Sequence, residues 1–295
     1  MELAMYKFRS EPKILEIGGI RIGGYPVNPP VMIGTIFYHG HKVVQDPREG
    51  LFDRDQVESL VKSQEEYSDK TGIPALVDIA SESPKAMIKY MDFVSSITSK
   101  PFLLDVISRD ILEAAIKHAS EVGLLNRIII NSITPKTSDE ELNLLREHKV
   151  KNVILLLYTH KIIDVNERVE LVNKMLPKLA SIEIHVPLID TFVVDVPSLS
   201  ISLRAMIQIK NEYGFPVGSG AHNAVSSMRK TFKQKYGKEG VDAMEIASDI
   251  APLLMCGDFV LYGPIELHKY VLPAAYLIYT SYKYLARNPG NLLEL

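Results

Sequence analysis

The chain has 295 residues, 46% of them apolar and 23% charged, which is ordinary for a globular protein. The formal net charge of −3 argues against a nucleic-acid partner. The single cysteine, Cys256, excludes an intramolecular disulfide and any multi-cysteine zinc or iron–sulfur site. No apolar run is long enough to span a bilayer and residues 1–10 lack the apolar core of a secretion signal, so we expect a cytoplasmic protein without membrane insertion.

Residues 14–24 precede the first predicted strand and carry two alternating apolar–polar runs around the pair Gly18-Gly19. This pattern predicts a β-hairpin, which we expect to cover the bottom of the fold that follows. The glycines of this segment lack the strand and helix that flank a dinucleotide-binding loop, so they do not indicate a nucleotide cofactor.

The rest of the chain repeats one theme, a short apolar run followed by an amphipathic stretch. The predicted strands are residues 31–37, 75–79, 102–106, 127–130, 153–157, 182–189, 216–218 and 259–262. The predicted helices are residues 54–71, 84–97, 109–122, 138–148, 166–179, 199–213, 238–255 and 266–286. Eight alternations without a long linker predict an α/β protein, a single (β/α)₈ TIM barrel over residues 1–295 with residues 1–29 as an N-terminal extension. A doubly wound open sheet is the alternative, because alternation does not prove closure.

Polar residues stand where the predicted strands end, which is where (β/α)₈ enzymes place their active sites. They are Thr35, Asp78, Asp105, Asn131, Tyr158, Asp190 and Asn223, with Glu82 and Glu266 close by. Any one of them is explained equally well as a helix cap. Successive polar strand ends are costly to bury, so together they favour a binding ring. Acids and amides without a cluster of lysines or arginines suit a ligand rich in N–H groups, such as a pterin, and not a phosphate-rich one.

Several segments resemble the MtrH subunit of tetrahydromethanopterin S-methyltransferase. They are Gly34–Lys42, with the sequence GTIFYHGHK, Phe52-Asp53, Asp190-Thr191, Asp195–Ser198 and Gly220–Ser227. Relatives of that protein include methyltetrahydrofolate:corrinoid methyltransferases, and the wider superfamily of pterin-binding barrels includes dihydropteroate synthases. The resemblance extends over nearly the whole chain.

The resemblance implies a methyltransferase that moves the N5-methyl group of a methylated tetrahydropterin to the cobalt(I) of a corrinoid (cobalamin) on a separate corrinoid protein. The donor would be methyltetrahydromethanopterin or methyltetrahydrofolate. By the same resemblance, Asp105 and Asn131 contact the pterin edge, and Asp190 grips the pterin amino group and a ring N–H. Asn223 contacts N5 and is the catalytic residue, while Asp78 belongs to the surrounding polar network. The resemblance also implies a homodimer, for which the tyrosine-rich segment 270–284 is a candidate surface.

Other interpretations of the same sequence stay open. A different pterin-binding barrel enzyme, a lyase or synthase, would want a Schiff-base lysine or a cationic phosphate clamp in the strands, and neither is visible. A non-catalytic component of a methyltransferase complex is the third class.

His39 and His41 have no third ligand at a diagnostic spacing, so we expect local hydrogen bonds there and no metal site. The basic run 229–235 is either a solvated helix face or a docking patch for an acidic partner or an anionic pterin tail. His222 and Met228 depart from the residues that relatives often carry.

Overall fold

The computed structural model describes residues 2–3, 6–286 and 293–294. Its centre is a closed barrel of eight parallel strands, which we number β1 to β8 in chain order. They are β1 (Val31–Ile36), β2 (Ala75–Ala80), β3 (Phe102–Asp105), β4 (Ile128–Ile133), β5 (Val153–Leu156), β6 (Leu188–Asp190), β7 (Val217–Ser219) and β8 (Phe259–Pro264). Pairing of β8 with β1 closes the ring. The predicted (β/α)₈ barrel is therefore confirmed, and the open sheet is wrong.

Helices surround the barrel. They are α1 (Arg54–Thr71), α2 (Pro84–Ile97), α3 (Arg109–Glu121), α4 (Asp139–Glu147), α5 (Val165–Ser181), α6 (Val196–Tyr213), α7 (Asn223–Ser226), α8 (Arg229–Leu254) and α9 (His268–Ala286), with a 3₁₀ turn at Ile265–Leu267. The bounds of α1 and α2 agree with the prediction, because Asp53 and Ser83 cap the first turns through their side chains. Among the described helices, none is long and apolar enough to cross a membrane.

Two predicted elements differ from the structure. Strand β6 begins at Leu188 and not at residue 182, because α5 ends there in a Schellman turn. In that turn Glu183 adopts a φ of +63° and the Ile184 N–H bonds to the Leu179 carbonyl oxygen. The second difference concerns α8, which begins at Arg229 but is interrupted at Gly237, where φ is +73° and ψ is −178°. The predicted helix from residue 238 is the part after this break, and the helical turns before it were not predicted.

Short strands flank the barrel and are grouped in three small sheets. They are Glu2–Leu3, Tyr6–Lys7 and Leu293–Glu294 in one sheet, Leu15–Ile17 and Ile20–Ile22 in a second, and Val44–Asp46 and Leu51–Phe52 in a third. The second sheet is the predicted hairpin, with Gly18 and Gly19 both at positive φ in its turn. Its apolar residues join the cluster that fills the barrel interior, so the hairpin closes the bottom of the barrel as expected.

The barrel interior is built in layers, because alternate residues of each strand point inward. One inward layer is apolar and consists of Ile33, Leu76, Leu103, Ile129, Ile154, Leu188 and Leu261. Two residues further along the same seven strands, the inward layer consists of Thr35, Asp78, Asp105, Asn131, Leu156, Asp190 and Gly263. The same alternation that packs the core therefore turns four acid and amide side chains toward the barrel axis.

A buried ion pair holds the opposite end of the barrel together. The Lys210 ammonium of α6 lies 2.8 Å from Asp258 Oδ1 and donates to the Cys256 carbonyl oxygen at 2.7 Å. Asp258 also accepts backbone N–H groups from Tyr25 at 2.9 Å and from Val217 at 3.0 Å. Each charge is thus paired and hydrogen-bonded, which is the condition under which a buried ion pair is tolerated.

Removing one partner of this pair should destabilise the fold. We expect Lys210→Met to lower the free energy of unfolding by about 3–5 kcal/mol, since Asp258 is left as a buried charge without a cation. Guanidinium unfolding measures the change. Lys117→Met removes a lysine from a solvent-exposed pair with Glu113 on α3 and should have no measurable effect. A Lys210→Met loss no larger than that of Lys117→Met would contradict this role.

Candidate active site

A cavity of about 550 Å³ opens at the carboxyl ends of the barrel strands, and all eight strands contribute to its wall through their ends or the turns that follow. Asp78, Asp105, Asn131, Asp190 and Asn223 all line it. Thr35 and Glu82 line it as well, whereas Tyr158 and Glu266 are not among the lining residues. Seven of the nine predicted residues therefore line one contiguous cavity. The position expected for Tyr158 in the wall is taken by Leu156, the inward residue that ends β5.

Two carboxyl groups from neighbouring strands share one side of the cavity. Asp78 accepts hydrogen bonds from Thr35 Oγ1 at 3.0 Å and from Asn131 Nδ2 at 3.2 Å. No described residue donates a hydrogen bond to the Asp105 carboxyl group. Burial raises the pKa of Asp105 to about 8, with the nearby charge of Asp78 adding to the effect. Burial also raises the pKa of Asp78 to about 6, against the opposing hydrogen bonds from Asn131 and Thr35. At neutral pH the pair thus holds a protonated Asp105 carboxyl, a donor, beside an ionised Asp78, an acceptor.

Asp190 stands on the β6 side of the cavity and is held by the backbone. Its Oδ1 accepts the Phe192 N–H at 2.7 Å. Burial raises the pKa of Asp190 to about 6, while the backbone N–H groups of Phe192 and Gly220 and the Arg168 guanidinium favour the charged form. Arg168 is fully buried and donates to the carbonyl oxygens of Thr191, at 2.8 Å, and Ile162. This guanidinium fixes the turn after β6, so the Asp190 carboxylate is preorganised.

The β1 loop supplies the aromatic wall of the cavity through a hydrogen-bonded stack. The rings of Tyr38 and His41 are parallel, with centroids 4.3 Å apart. Glu266 lies 3.2 Å from the Tyr38 hydroxyl and 3.1 Å from His41 Nε2, and His41 Nδ1 accepts the Phe37 N–H at 3.0 Å. His39 instead pairs with Glu82 at 2.7 Å on the surface. The two imidazoles therefore make the local hydrogen bonds that the sequence predicts. Within the described residues, no group of three or more His, Cys, Asp or Glu is arranged to hold a metal ion.

The turn after β7 brings Asn223 and His222 to the cavity. Asn223 opens α7, where its backbone N–H bonds to the Gly220 carbonyl oxygen at 3.2 Å. No described residue makes a hydrogen bond with the Asn223 side-chain amide, which leaves it available to a ligand. His222 Nδ1 lies 2.9 Å from the Leu261 carbonyl oxygen. Sequence analysis noted His222 only because relatives often carry another residue at this position. Its place just after a strand, one residue before Asn223, is the signal that could have predicted a wall residue.

Phe192 is a further wall residue that the sequence did not single out. It adopts a φ of +63°, which a phenylalanine rarely does, and it packs edge-on against the Tyr158 ring. In this conformation its N–H donates to Asp190 Oδ1. No sequence pattern encodes this turn, so only the structure reveals it.

The geometry defines a class: a (β/α)₈ barrel with a cavity at the carboxyl ends of its strands, lined by carboxyl and amide side chains. Residues 10–293 match the family model described as the tetrahydromethanopterin S-methyltransferase MtrH subunit. The chain belongs to this family.

Individual relatives agree with this assignment. The MtrH subunit of tetrahydromethanopterin S-methyltransferase from Methanothermobacter thermautotrophicus is 36% identical over 286 residues, covering 92% of this chain and 91% of its own. The same protein of Methanocaldococcus jannaschii is 33% identical over 294 residues, covering 93% and 92%. Among solved structures, dihydropteroate synthase of Yersinia pestis superposes with a TM-score of 0.63 at 12% identity, covering 92% of this chain and 99% of that one. This last similarity concerns the fold.

The raised pKa of Asp105 predicts a pH-dependent stability. Between pH 4 and pH 8 the folded chain keeps a proton on Asp105 that the unfolded chain releases, so this group destabilises the fold progressively as the pH rises. We expect Asp105→Asn to raise the free energy of unfolding by several kcal/mol at pH 9 and by much less at pH 5, since the amide cannot ionise.

Urea unfolding at the two pH values measures this difference. Asp69→Asn removes an exposed carboxylate from α1 and serves as the control, with no such gain at pH 9. The same stability difference for Asp105→Asn at both pH values would contradict the protonated state assigned to Asp105.

Proposed function

We propose that this chain is a methyltransferase that moves the N5-methyl group of a methylated tetrahydropterin to the cobalt(I) of a corrinoid on a separate protein, in the cytoplasm. One observation carries the proposal. In this member of the MtrH family, the hydrogen-bond donors and acceptors of four side chains face one cavity, namely those of Asp78, Asp105, Asn131 and Asp190. We also propose that residues 1–295 act as one unit, with residues 1–29 as an extension. The match of the family model to residues 10–293 supports this.

The acid and amide side chains would hold the pterin by its aminopyrimidone edge. That edge presents N–H donors beside ring acceptors, so it needs both kinds of partner. The ionised Asp190 suits the amino group and a ring N–H, because a charge-assisted hydrogen bond to a carboxylate is strong. The protonated Asp105 and the Asn131 amide suit the neighbouring acceptors, and Asp78 orients Asn131 through the hydrogen bond between them.

Asn223 would act at N5, the atom that bears the methyl group. A tertiary amine is a poor leaving group, so N5 must gain a proton or a strong hydrogen bond as the methyl group departs. The Asn223 amide has no partner among the described residues and can donate such a bond, which strengthens in the transition state.

The corrinoid, when bound, supplies cobalt(I) as the nucleophile. Among the described residues, exposed Ile107, Val194 and Met228 follow β3, β6 and β7 and offer an apolar rim on which a partner protein can dock.

The direct test is methyl transfer to free cob(I)alamin, followed by the change in the cobalt absorption spectrum. We expect transfer from methyltetrahydromethanopterin or methyltetrahydrofolate, and the two rates identify the donor. Asn223→Ala should lower kcat and kcat/KM together by about two orders of magnitude with little change in KM, as for the loss of one preorganised donor. Asp190→Ala should instead weaken pterin binding by about ten-fold or more.

Two variants serve as controls for these measurements. Asn152→Ala removes a half-buried amide at the opposite end of the barrel, and Asp249→Asn replaces a buried carboxyl group of α8 that does not line the cavity with an amide. Both should keep wild-type kinetics. Binding of neither pterin would favour a non-catalytic component of a complex. A steep rise in KM with unchanged kcat in Asn223→Ala would make Asn223 a binding residue only.

We further propose a homodimer that pairs through α9. Tyr270, Leu277 and Tyr284 recur every seven residues along this helix and are 58%, 67% and 68% exposed, so they form an apolar stripe on one face. A stripe of this kind is typical of an interface between protomers. Light scattering at micromolar concentration should give a mass near twice the 33.1 kDa of the chain. Leu277→Glu should shift the protein to a monomer, whereas Lys269→Glu, early in the same helix, should not. A monomeric wild type would contradict the proposal.

A further inference from the structure

The imidazole of His222 is oriented by a single backbone hydrogen bond. Its Nδ1 lies 2.9 Å from the Leu261 carbonyl oxygen, and a carbonyl oxygen can only accept, so Nδ1 carries the proton. Nε2 of the neutral ring therefore bears a lone pair. No described residue donates a hydrogen bond to Nε2. Since His222 lines the cavity, this lone pair is an acceptor that the fold itself does not use.

A glycine of β8 gives the ring its place. Gly263 has a φ of +74°, and a Cβ at this position would lie 2.9 Å from both Cγ and Cδ2 of His222. Any side chain at 263 would therefore displace the imidazole. Burial also lowers the pKa of His222, which keeps the ring neutral at pH 7. The ring is thus confined in position, and its tautomer is fixed.

The order of the strands around the barrel determines which end of a bound pterin lies near His222. In a closed ring of eight strands, β7 and β8 stand across from β3 and β4. Under the proposed function, Asp105, Asn131 and Asp190 of β3, β4 and β6 hold the aminopyrimidone end of the ligand. The other ring of the flat bicycle, the pyrazine ring that is reduced in tetrahydropterins, then points toward the rest of the wall, which runs from the turn after β7 to β8 and β1. His222 lies in this part of the wall, where it contacts Leu261 and Gly263 of β8.

We propose that His222 Nε2 accepts a hydrogen bond from an N–H of the reduced pyrazine ring, so that His222 selects reduced over oxidised pterins. The inference rests on the proposed function. A tetrahydropterin carries N–H groups at N5 and N8, and the N5-methylated form still carries the one at N8. A fully oxidised pterin has bare lone pairs at both nitrogens, which repel the lone pair of Nε2.

Two substitutions separate the acceptor from the structural hydrogen bond. His222→Asn keeps an amide N–H near the position of Nδ1, so it can still bond to the Leu261 carbonyl oxygen, but it has nothing at the position of Nε2. His222→Gln reaches that position with an amide oxygen. His268→Asn is the matched control, because His268 makes the same kind of Nδ1 bond, to the Ile265 carbonyl oxygen at 2.8 Å, away from the cavity.

The test measures dissociation constants of 6-methyltetrahydropterin and of oxidised 6-methylpterin under anaerobic conditions. The wild type should bind the reduced compound more tightly than the oxidised one. In His222→Asn the ratio of the two dissociation constants should fall about ten-fold, which corresponds to the loss of one hydrogen bond. His222→Gln should regain part of it, and His268→Asn should keep all of it. A purely structural role would weaken both ligands equally and leave their ratio unchanged.

The outcomes distinguish this inference from the function on which it rests. If the wild type binds neither compound, the proposed function fails and the inference fails with it. If the wild type binds pterins without preferring the reduced form, or if His222→Asn keeps the preference, the inference alone is overturned. Should His222→Asn fail to fold, the comparison of His222→Gln with His222→Leu decides. His222→Gln must then keep more of the preference, since only its side chain places an acceptor near the position of Nε2.

Discussion

Asp258 is the junction at which the two ends of the barrel sheet meet. Its carbonyl oxygen accepts the Val31 N–H at the start of β1, and its own N–H bonds to the Val217 carbonyl oxygen at the start of β7. Its side chain holds the Tyr25 N–H and the Lys210 ammonium. One residue therefore joins the first strand, the seventh strand, the N-terminal segment and α6. Closure brings the carboxyl ends of all eight strands to one rim, so the cavity at that rim depends on the ring that this junction helps to close.

Buried carboxyl groups at the two ends of the barrel differ in whether they have hydrogen-bond partners. At the closed end, Asp258 has a cation and two N–H groups within hydrogen-bonding distance. At the open end, Asp105 has no donor among the described residues, and the pKa of Asp105 rises to about 8 because burial disfavours its charge. A protein that needed only stability would place apolar residues there. Unsatisfied polar groups in a cavity cost stability and are typical of a site whose ligand supplies the missing partners.

Hydrogen bonds from surrounding residues hold the polar groups of the cavity in fixed positions. Arg168 fixes the turn after β6, Glu266 and His41 fix Tyr38, and a backbone carbonyl fixes His222. A ligand then meets donors and acceptors that are already in position, so little conformational entropy is lost on binding. This preorganisation links the packing of loops outside the barrel to the chemistry proposed inside it.

Local sequence patterns predicted the eight strand–helix alternations and most of the polar wall, whereas closure of the sheet was established by the pairing of β8 with β1. Strand-end positions such as Asp78 and Asp190 were predictable because side chains alternate along a strand, and a polar residue two places after a buried one faces the same way. The family was equally visible in local motifs. The helical turns of α8 before Gly237, the late start of β6 and the wall positions of Phe192 and Leu156 became known only from the folded chain. The same holds for the charge states of the carboxyl groups and the tautomer of His222. The physical reason is that burial, the approach of a second carboxyl group and a carbonyl oxygen from another strand are contacts between distant segments, which no local pattern encodes.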